Sequence, residues 1–145
     1  MISINSVFQK SSYKLRGIAA EDYVAQQLKL QGFSIAAQNY QKQYGEIDII
    51  AQKKDLVLFV EVKCRKNPLF DVSSVITHSK KKKIIAVAKQ YIAQHKLDEH
   101  TFRFDVAFVV DTSRAAAAEK KYFQQSNNNA GLSLEYLEDA FQSDE

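Results

Sequence analysis

Two apolar runs in this chain carry acids where a buried strand should have none. The first is Gly45-Glu46-Ile47-Asp48-Ile49-Ile50-Ala51, and the second is Phe59-Val60-Glu61-Val62-Lys63. Lys53-Lys54-Asp55 lies between them, so the runs can pair as a hairpin. With the turn centred between Lys54 and Asp55, Asp48 falls opposite Glu61 and Glu46 falls opposite Lys63. Directly opposed side chains in an antiparallel pair have Cβ atoms about 4.5–5.5 Å apart, and like charges there repel. An isolated carboxylate also costs on the order of several kcal/mol to bury. Setting Asp48 against Glu61 among apolar neighbours calls for a compensating cation, and a divalent metal is the simplest one.

Ile47, Ile49 and Ala51 line one face of the first arm, and Leu58, Val60 and Val62 a like face of the second. Ile50, Val57 and Phe59 stand on the other faces beside the charged groups. Apolar residues on both faces predict central strands covered from both sides. Around this hairpin, Ala20, Val24 and Leu28 recur at turn spacing and predict a helix over 12–31, with Ser11 or Ser12 as N-cap and Gly32 as its stop. Phe33–Tyr40 reads as a strand. A loop over 65–78 holds Pro68, the only proline. Lys80–His95 reads as a second helix with Ile84, Val87, Ala88 and Tyr91 on one face. In Phe102–Val110, Phe102, Phe104, Val106 and Phe108 alternate with Arg103, Asp105 and Ala107, as a strand requires.

Residues 112–130 are low in complexity and predict a mobile loop. Leu132–Phe141 returns to order as a short strand or helix. The order helix, three strands, helix, strand predicts an α/β sandwich with a mixed sheet, because a strand–helix–strand crossover favours a parallel pair. A single domain over 1–145 is expected: an arm at 1–11, a core at 12–111, a loop at 112–131 and a C-terminal extension at 132–145.

With 46% hydrophobic and 26% charged residues, the 145-residue chain has the composition of a globular domain. Its single cysteine excludes an internal disulfide framework and fits a reducing compartment. No signal peptide and no membrane span is expected, so a cytoplasmic protein is. Net charge is +3, but residues 119–145 hold two lysines against six carboxylates; the rest of the chain therefore stands at +7. A basic body of this kind permits a polyanionic partner.

Glu61 and Lys63, two apart on one strand, point to the same face. With Asp48 they offer two oxygen ligands and an ammonium at one place, a set suited to Mg²⁺ or Mn²⁺ and to activating water against a phosphate. Asp48, twelve residues, then Glu61-Val62-Lys63 resembles the PD-(D/E)XK nuclease signature. The wider pattern resembles the YraN-like family of small bacterial proteins. The matching pieces are Gly17-Ile18-Ala19-Ala20-Glu21, Gly32-Phe33-Ser34-Ile35, Asn39-Tyr40, Gly45-Glu46-Ile47-Asp48 and Val60-Glu61-Val62-Lys63. They continue with Ser79-Lys80, Lys83-Ile84 and Arg103-Phe104-Asp105-Val106, and Leu137-Glu138-Asp139-Ala140-Phe141 is a weaker echo.

The resemblance implies a restriction-endonuclease-like three-layer sandwich and a metal site at Asp48, Glu61 and the Val62 carbonyl. It also implies catalytic roles for Asp48, Glu61, Lys63 and Glu21, and phosphate contacts from Lys80 and Lys83. The chain departs from many junction-cutting relatives in lacking their Gln-x-x-x-Tyr helix motif, since Gln90 and Tyr91 are adjacent.

Each residue also has a structural reading. Asp48 and Glu61 can form a buried polar network with Lys63 and backbone amides. Lys63 can pair across the strands with Glu46. Glu21, in phase with Val24, Ala25 and Leu28, can form an internal salt bridge to Arg16 or Lys63. Lys80–Lys83 can be a solvated face, since one helical turn does not aim four side chains at one target. Asp105 is expected to make a structural hydrogen bond, and Cys64 to pack in the core. The functions in contention are a Mg²⁺- or Mn²⁺-dependent nuclease, a non-catalytic nucleic-acid-binding module on the same fold, and a scaffold protein. The expected partner is nucleic acid, DNA first, with no membrane. A homodimer is compatible, because a small nuclease without a recognition domain can span a duplex by dimerising.

Overall fold

Ala20, Val24, Ala25 and Leu28 are buried on one stripe of a helix, α1, seen over residues 19–30 of the computed structural model, which describes residues 19–65, 76–111 and 131–143. The arm at 1–11, the start of the first helix with Ser11 and Ser12, most of the Pro68 loop and the segment 112–130 lie outside the described residues. Gly32 ends α1 as the sequence predicts. It takes φ +93°, and the amides of Gly32 and Phe33 donate back to Lys29 and Leu28 at 3.0 Å each. This pair of bonds satisfies helix-end carbonyls around a left-handed residue, where glycine carries no Cβ penalty.

Five strands follow: β1 (Ser34–Lys42), β2 (Gly45–Lys53), β3 (Leu56–Arg65), β4 (Thr101–Asp111) and β5 (Leu132–Phe141). They lie side by side in that order in one open mixed sheet. β1 with β2, β2 with β3 and β4 with β5 are antiparallel, while β3 and β4 are parallel. The parallel pair is joined by α2 (His78–His95), the crossover helix expected from the element order. Residues 132–141, left open between strand and helix, are an edge strand.

Thr77 caps α2, its hydroxyl accepting from the Lys80 amide at 3.2 Å, so the helix starts two residues before the expected Lys80. Its far end closes at Lys96, a non-glycine residue at φ 55°.

The hairpin register also agrees with the sequence reading. Lys53 faces Leu56, and the pairing runs through Ala51 and Leu58 to Ile49 and Val60. Alternation along β3 then divides the core in two. Val57 and Phe59 pack with Ile84, Val87, Ala88 and Tyr91 of α2. Leu58 and Val60 pack with Ala20, Val24 and Leu28 of α1. One helix therefore covers each face of the sheet. Each fully buried side chain of this size contributes about 1.5–3 kcal/mol, so the two-sided core carries most of the stability.

Phe59 anchors the α2 side, with ring contacts to Tyr91, Phe102 and Phe104 at 6.1, 6.2 and 5.5 Å. One residue breaks the expected pattern. Ile47 was grouped with Ile49 and Ala51, yet it packs on the α2 side while they pack on the α1 side. The regular alternation of β2 fails between Ile47 and Ile49, at Asp48.

Candidate functional site

Asp48 sits where the β2–β3 ladder ends. The last paired residues are Ile49 and Val60, and the next hydrogen-bonded pair would join Ile47 to Val62. Instead the Val62 amide donates to Asp48 Oδ2 at 2.8 Å. A side-chain oxygen has replaced a main-chain carbonyl, and the carboxylate is drawn to the strand edge. The Val62 carbonyl leaves the strand on that same edge, because a residue exchanges both its bonds with one neighbour.

Glu61, next to Val62, is 2% exposed. Its Oε1 receives two ammonium groups, Lys63 Nζ at 3.0 Å and Lys80 Nζ at 3.1 Å. Its Oε2 is buried and has no hydrogen-bond partner among the described residues. Asp48 lies beside it, and burial followed by the Glu61 charge pushes the Asp48 carboxyl up to about 7, against the pull of the Val62 amide. A protonated Asp48 can share its proton with Glu61. An ionised one leaves two buried carboxylates facing each other with one oxygen unsatisfied. The opposition read from the sequence is thus present as an electrostatic conflict.

Of the cations, Lys63 stands where the sequence reading puts it and Lys80 does not. Lys63 meets Glu61, the residue two before it on the same face of the strand, as the sequence predicts, and not Glu46, its alternative cross-strand partner. Glu46 accepts instead from Gln41 Nε2 at 3.2 Å. Lys80, for which the readings are a phosphate contact or a place on a solvated face, reaches inward to Glu61. Burial lowers its pKa, but the charge and hydrogen bond of Glu61, with Asp48 and Glu46 behind, outweigh this and raise it overall.

That role for Lys80 was missed, although a signal was available: Lys80 precedes Ile84 by four residues and is in phase with the buried stripe Ile84, Val87, Ala88 and Tyr91. Lys83 stays exposed, near the β1–β2 turn. Gly45 permits that approach, since a Cβ there would lie 3.2 Å from Lys83 Cβ. Lys81 Nζ lies 5.8 Å from the Phe141 ring, so the four lysines do diverge.

Glu21 is half-buried on α1 and held by Asn39 Nδ2 at 2.8 Å; Arg16, one of its two expected ion-pair partners, lies outside the described residues. Asn39 takes φ 50°, a left-handed conformation that asparagine tolerates better than most residues. Burial raises the Glu21 pKa against the Asn39 hydrogen bond, and Glu46, Asp22 and Glu61 raise it further. Glu21 is therefore within electrostatic reach of the pair but does not join it. Among the described residues no three acidic, histidine or cysteine side chains converge as a metal cluster.

The donor set for a cation is two carboxylates and a main-chain carbonyl. Hard oxygens, one of them orphaned and buried, fit Mg²⁺ or Mn²⁺.

Asp105 has the structural role expected of it. It is fully buried and binds Arg103 through both oxygens at 2.8 and 2.9 Å. It also accepts from Tyr136 Oη at 2.6 Å and the Asp139 amide at 2.9 Å. The β4–β5 register shifts between Phe104 and Val106, and Glu138–Ala140 bulge out there with Asp139 at φ 50°. Leu137–Phe141 is thus the segment that clasps Asp105. Cys64 packs on the α1 side, as expected. No helix among the described residues is long and apolar enough to cross a membrane.

The model of the uncharacterised protein family UPF0102 matches residues 20–109, which span α1 to β4 and include every residue of the site. A UPF0102 protein of Clostridium acetobutylicum is 36% identical over 125 residues, covering 86% of this chain and 88% of its own. A relative from Clostridium perfringens is 39% identical over 72% of this chain and 89% of its own. A relative from Myxococcus xanthus is 33% identical over 71% and 82%. The chain belongs to the UPF0102 family, the YraN-like family that its motifs resemble.

Proposed function

We propose that the Asp48–Glu61 site is the metal centre of a nucleic-acid phosphodiesterase of the restriction-endonuclease-like, PD-(D/E)XK type. The observation that carries this reading is Glu61 Oε2, buried and unpartnered beside a carboxyl whose pKa its own charge raises. With Asp48 ionised, no described residue donates to that oxygen, and a cation would supply the missing positive partner.

Asp48, Glu61 and the Val62 carbonyl would hold the cation. When bound, Mg²⁺ or Mn²⁺ supplies Lewis acidity toward a phosphate oxygen and makes a neighbouring water more acidic. Lys63 has three ammonium protons and spends one on Glu61; the others can orient water or meet charge developing on the phosphate. Lys80 holds Glu61 Oε1 from the α2 side, and Glu21 adds negative potential without ligating. The basic remainder of the chain supports attraction of the polyanion.

The test is cleavage of single-stranded, duplex and branched DNA and RNA with Mg²⁺ or Mn²⁺, run beside a thermal melt. Lys63→Ala is expected to lose about a hundredfold or more in turnover, as removal of one transition-state donor does, with nucleic-acid affinity held within a few-fold. A folded Lys63→Ala protein that cuts as well as wild type rejects the catalytic role.

A second reading, a non-catalytic binding module, draws on one observation: Glu61 Oε1 already carries two lysines, and among the described residues no third carboxylate converges. A wild type that binds nucleic acid and metal yet cuts nothing in the panel selects that reading.

A further inference from the structure

A cavity of about 420 Å³ lies where the β1–β2 turn meets the first turns of α2. Lys42, Tyr44, Gly45, Glu46, Lys80 and Lys83 line it. It opens beside the carboxylate pair, because Lys80 belongs to both: its Nζ is 3.1 Å from Glu61 Oε1. With Lys80 committed there, Lys42 and Lys83 are the cations left to meet an anion. Neither makes an ion pair among the described residues, and Lys42 Nζ rests 5.0 Å from the centre of the Tyr40 ring.

Tyr44 is 67% exposed, so core packing does not account for it. Its platform is firm, however. The adjacent Gly45 seats the turn against Lys83 and Val87, at distances a Cβ would fill.

We propose that this cavity is a subsite for one unpaired nucleotide of the strand whose phosphate lies at Asp48 and Glu61. The base stacks on Tyr44, and Lys42 and Lys83 meet the flanking phosphates. Glu46, an acceptor already receiving from Gln41, has lone pairs left for a base amino group or a sugar hydroxyl.

The volume is at the small end for ligand pockets and is enough for a single nucleotide. Bases in a duplex have their faces covered by neighbours, and only an unstacked one can lie on an aromatic ring. The substrate class is therefore nucleic acid with a single-stranded segment at or beside the cut: a tail, flap or gap. This rests on the nucleic-acid reading above and adds the substrate's shape to it.

The experiment is fluorescence anisotropy on the full chain with Ca²⁺ present, using a labelled blunt DNA duplex and the same duplex with a single-stranded tail. Wild type is expected to prefer the tailed probe. Tyr44→Ala is expected to reduce the tailed-over-blunt ratio about tenfold, the scale of one lost stacking contact, and Tyr44→Trp to preserve it. Lys42→Ala and Lys83→Ala are each expected to lower the salt dependence of tailed-probe binding by about one. Equal wild-type affinity for both probes, or a ratio unchanged in Tyr44→Ala, overturns the subsite.

Cleavage assays on the same probes separate the two claims. Metal-dependent cutting with no Tyr44 effect on the ratio rejects the subsite and keeps the nuclease. A Tyr44-dependent ratio with no cutting keeps the subsite and rejects catalysis.

Discussion

Asp48→Asn is expected to be more stable than the wild type at pH 8 without divalent metal, by about 2–4 kcal/mol. Burial and Glu61 raise the Asp48 carboxyl from 3.8 to about 7. A carboxyl raised in the folded state binds its proton more tightly there than in the unfolded chain. Stability is therefore undiminished below the unfolded value and declines as pH climbs through the window between 3.8 and 7. At pH 8 the whole penalty is present.

The amide has no charge to desolvate. Its oxygen can still accept from Val62, and its NH₂ can donate to the orphaned Glu61 Oε2. Urea unfolding at pH 4 and pH 8 checks this: the gap between variant and wild type should be large at pH 8 and narrow at pH 4. Equal stability at pH 8 would mean that the carboxylates are not held in conflict. Under the proposed metal-centre reading, the conflict is stability given up for function, since a site that takes a cation is strained without one.

Asp105→Ala is expected to cost about 3–5 kcal/mol, as removal of one partner from a buried ion pair does. The carboxylate is fully buried and joins Arg103, Tyr136 and the Asp139 amide, so its loss strands three donors at once. Desolvation first, then the hydrogen bond and charge of Asp105, hold the Tyr136 hydroxyl protonated far above its ordinary range. Glu138→Ala is the control. Glu138 meets Arg103 at 3.3 Å but is 63% exposed, and such surface pairs contribute about 0–1 kcal/mol. A thermal or urea measurement showing Asp105→Ala within about 1 kcal/mol of wild type would leave β5 held by other means. Metal affinity should be unchanged in both variants, because the clasp lies on the α1 side of the sheet, away from Glu61.

The hairpin was legible in the sequence because its period is two and its register follows from turn length alone. Lys54-Asp55 at the turn placed Asp48 against Glu61 without knowledge of any other element. The helices were legible from their stripes, and Gly32 marked a helix end because only its conformation closes that turn cheaply.

Two things were not legible, and each depends on tertiary placement. Ile47 changes face because Asp48 is pulled to the strand edge by a main-chain amide, which no alternation pattern records. Lys80 comes from a helix far along the chain, and its inward aim follows only once α2 is laid on the sheet. Leu137–Phe141 matched the family pattern without a visible reason, and the bulge around Asp105 supplies one.

Calorimetric titration of Mn²⁺ into the wild type and Asp48→Asn at pH 7.5 tests the metal centre most directly. One site per chain is expected in the wild type, with affinity that rises as pH increases because the cation displaces the proton on Asp48. The variant, though more stable, is expected to lose that site. Equal heats and equal affinity in the two proteins would contradict the assignment of Asp48 and Glu61 as metal ligands.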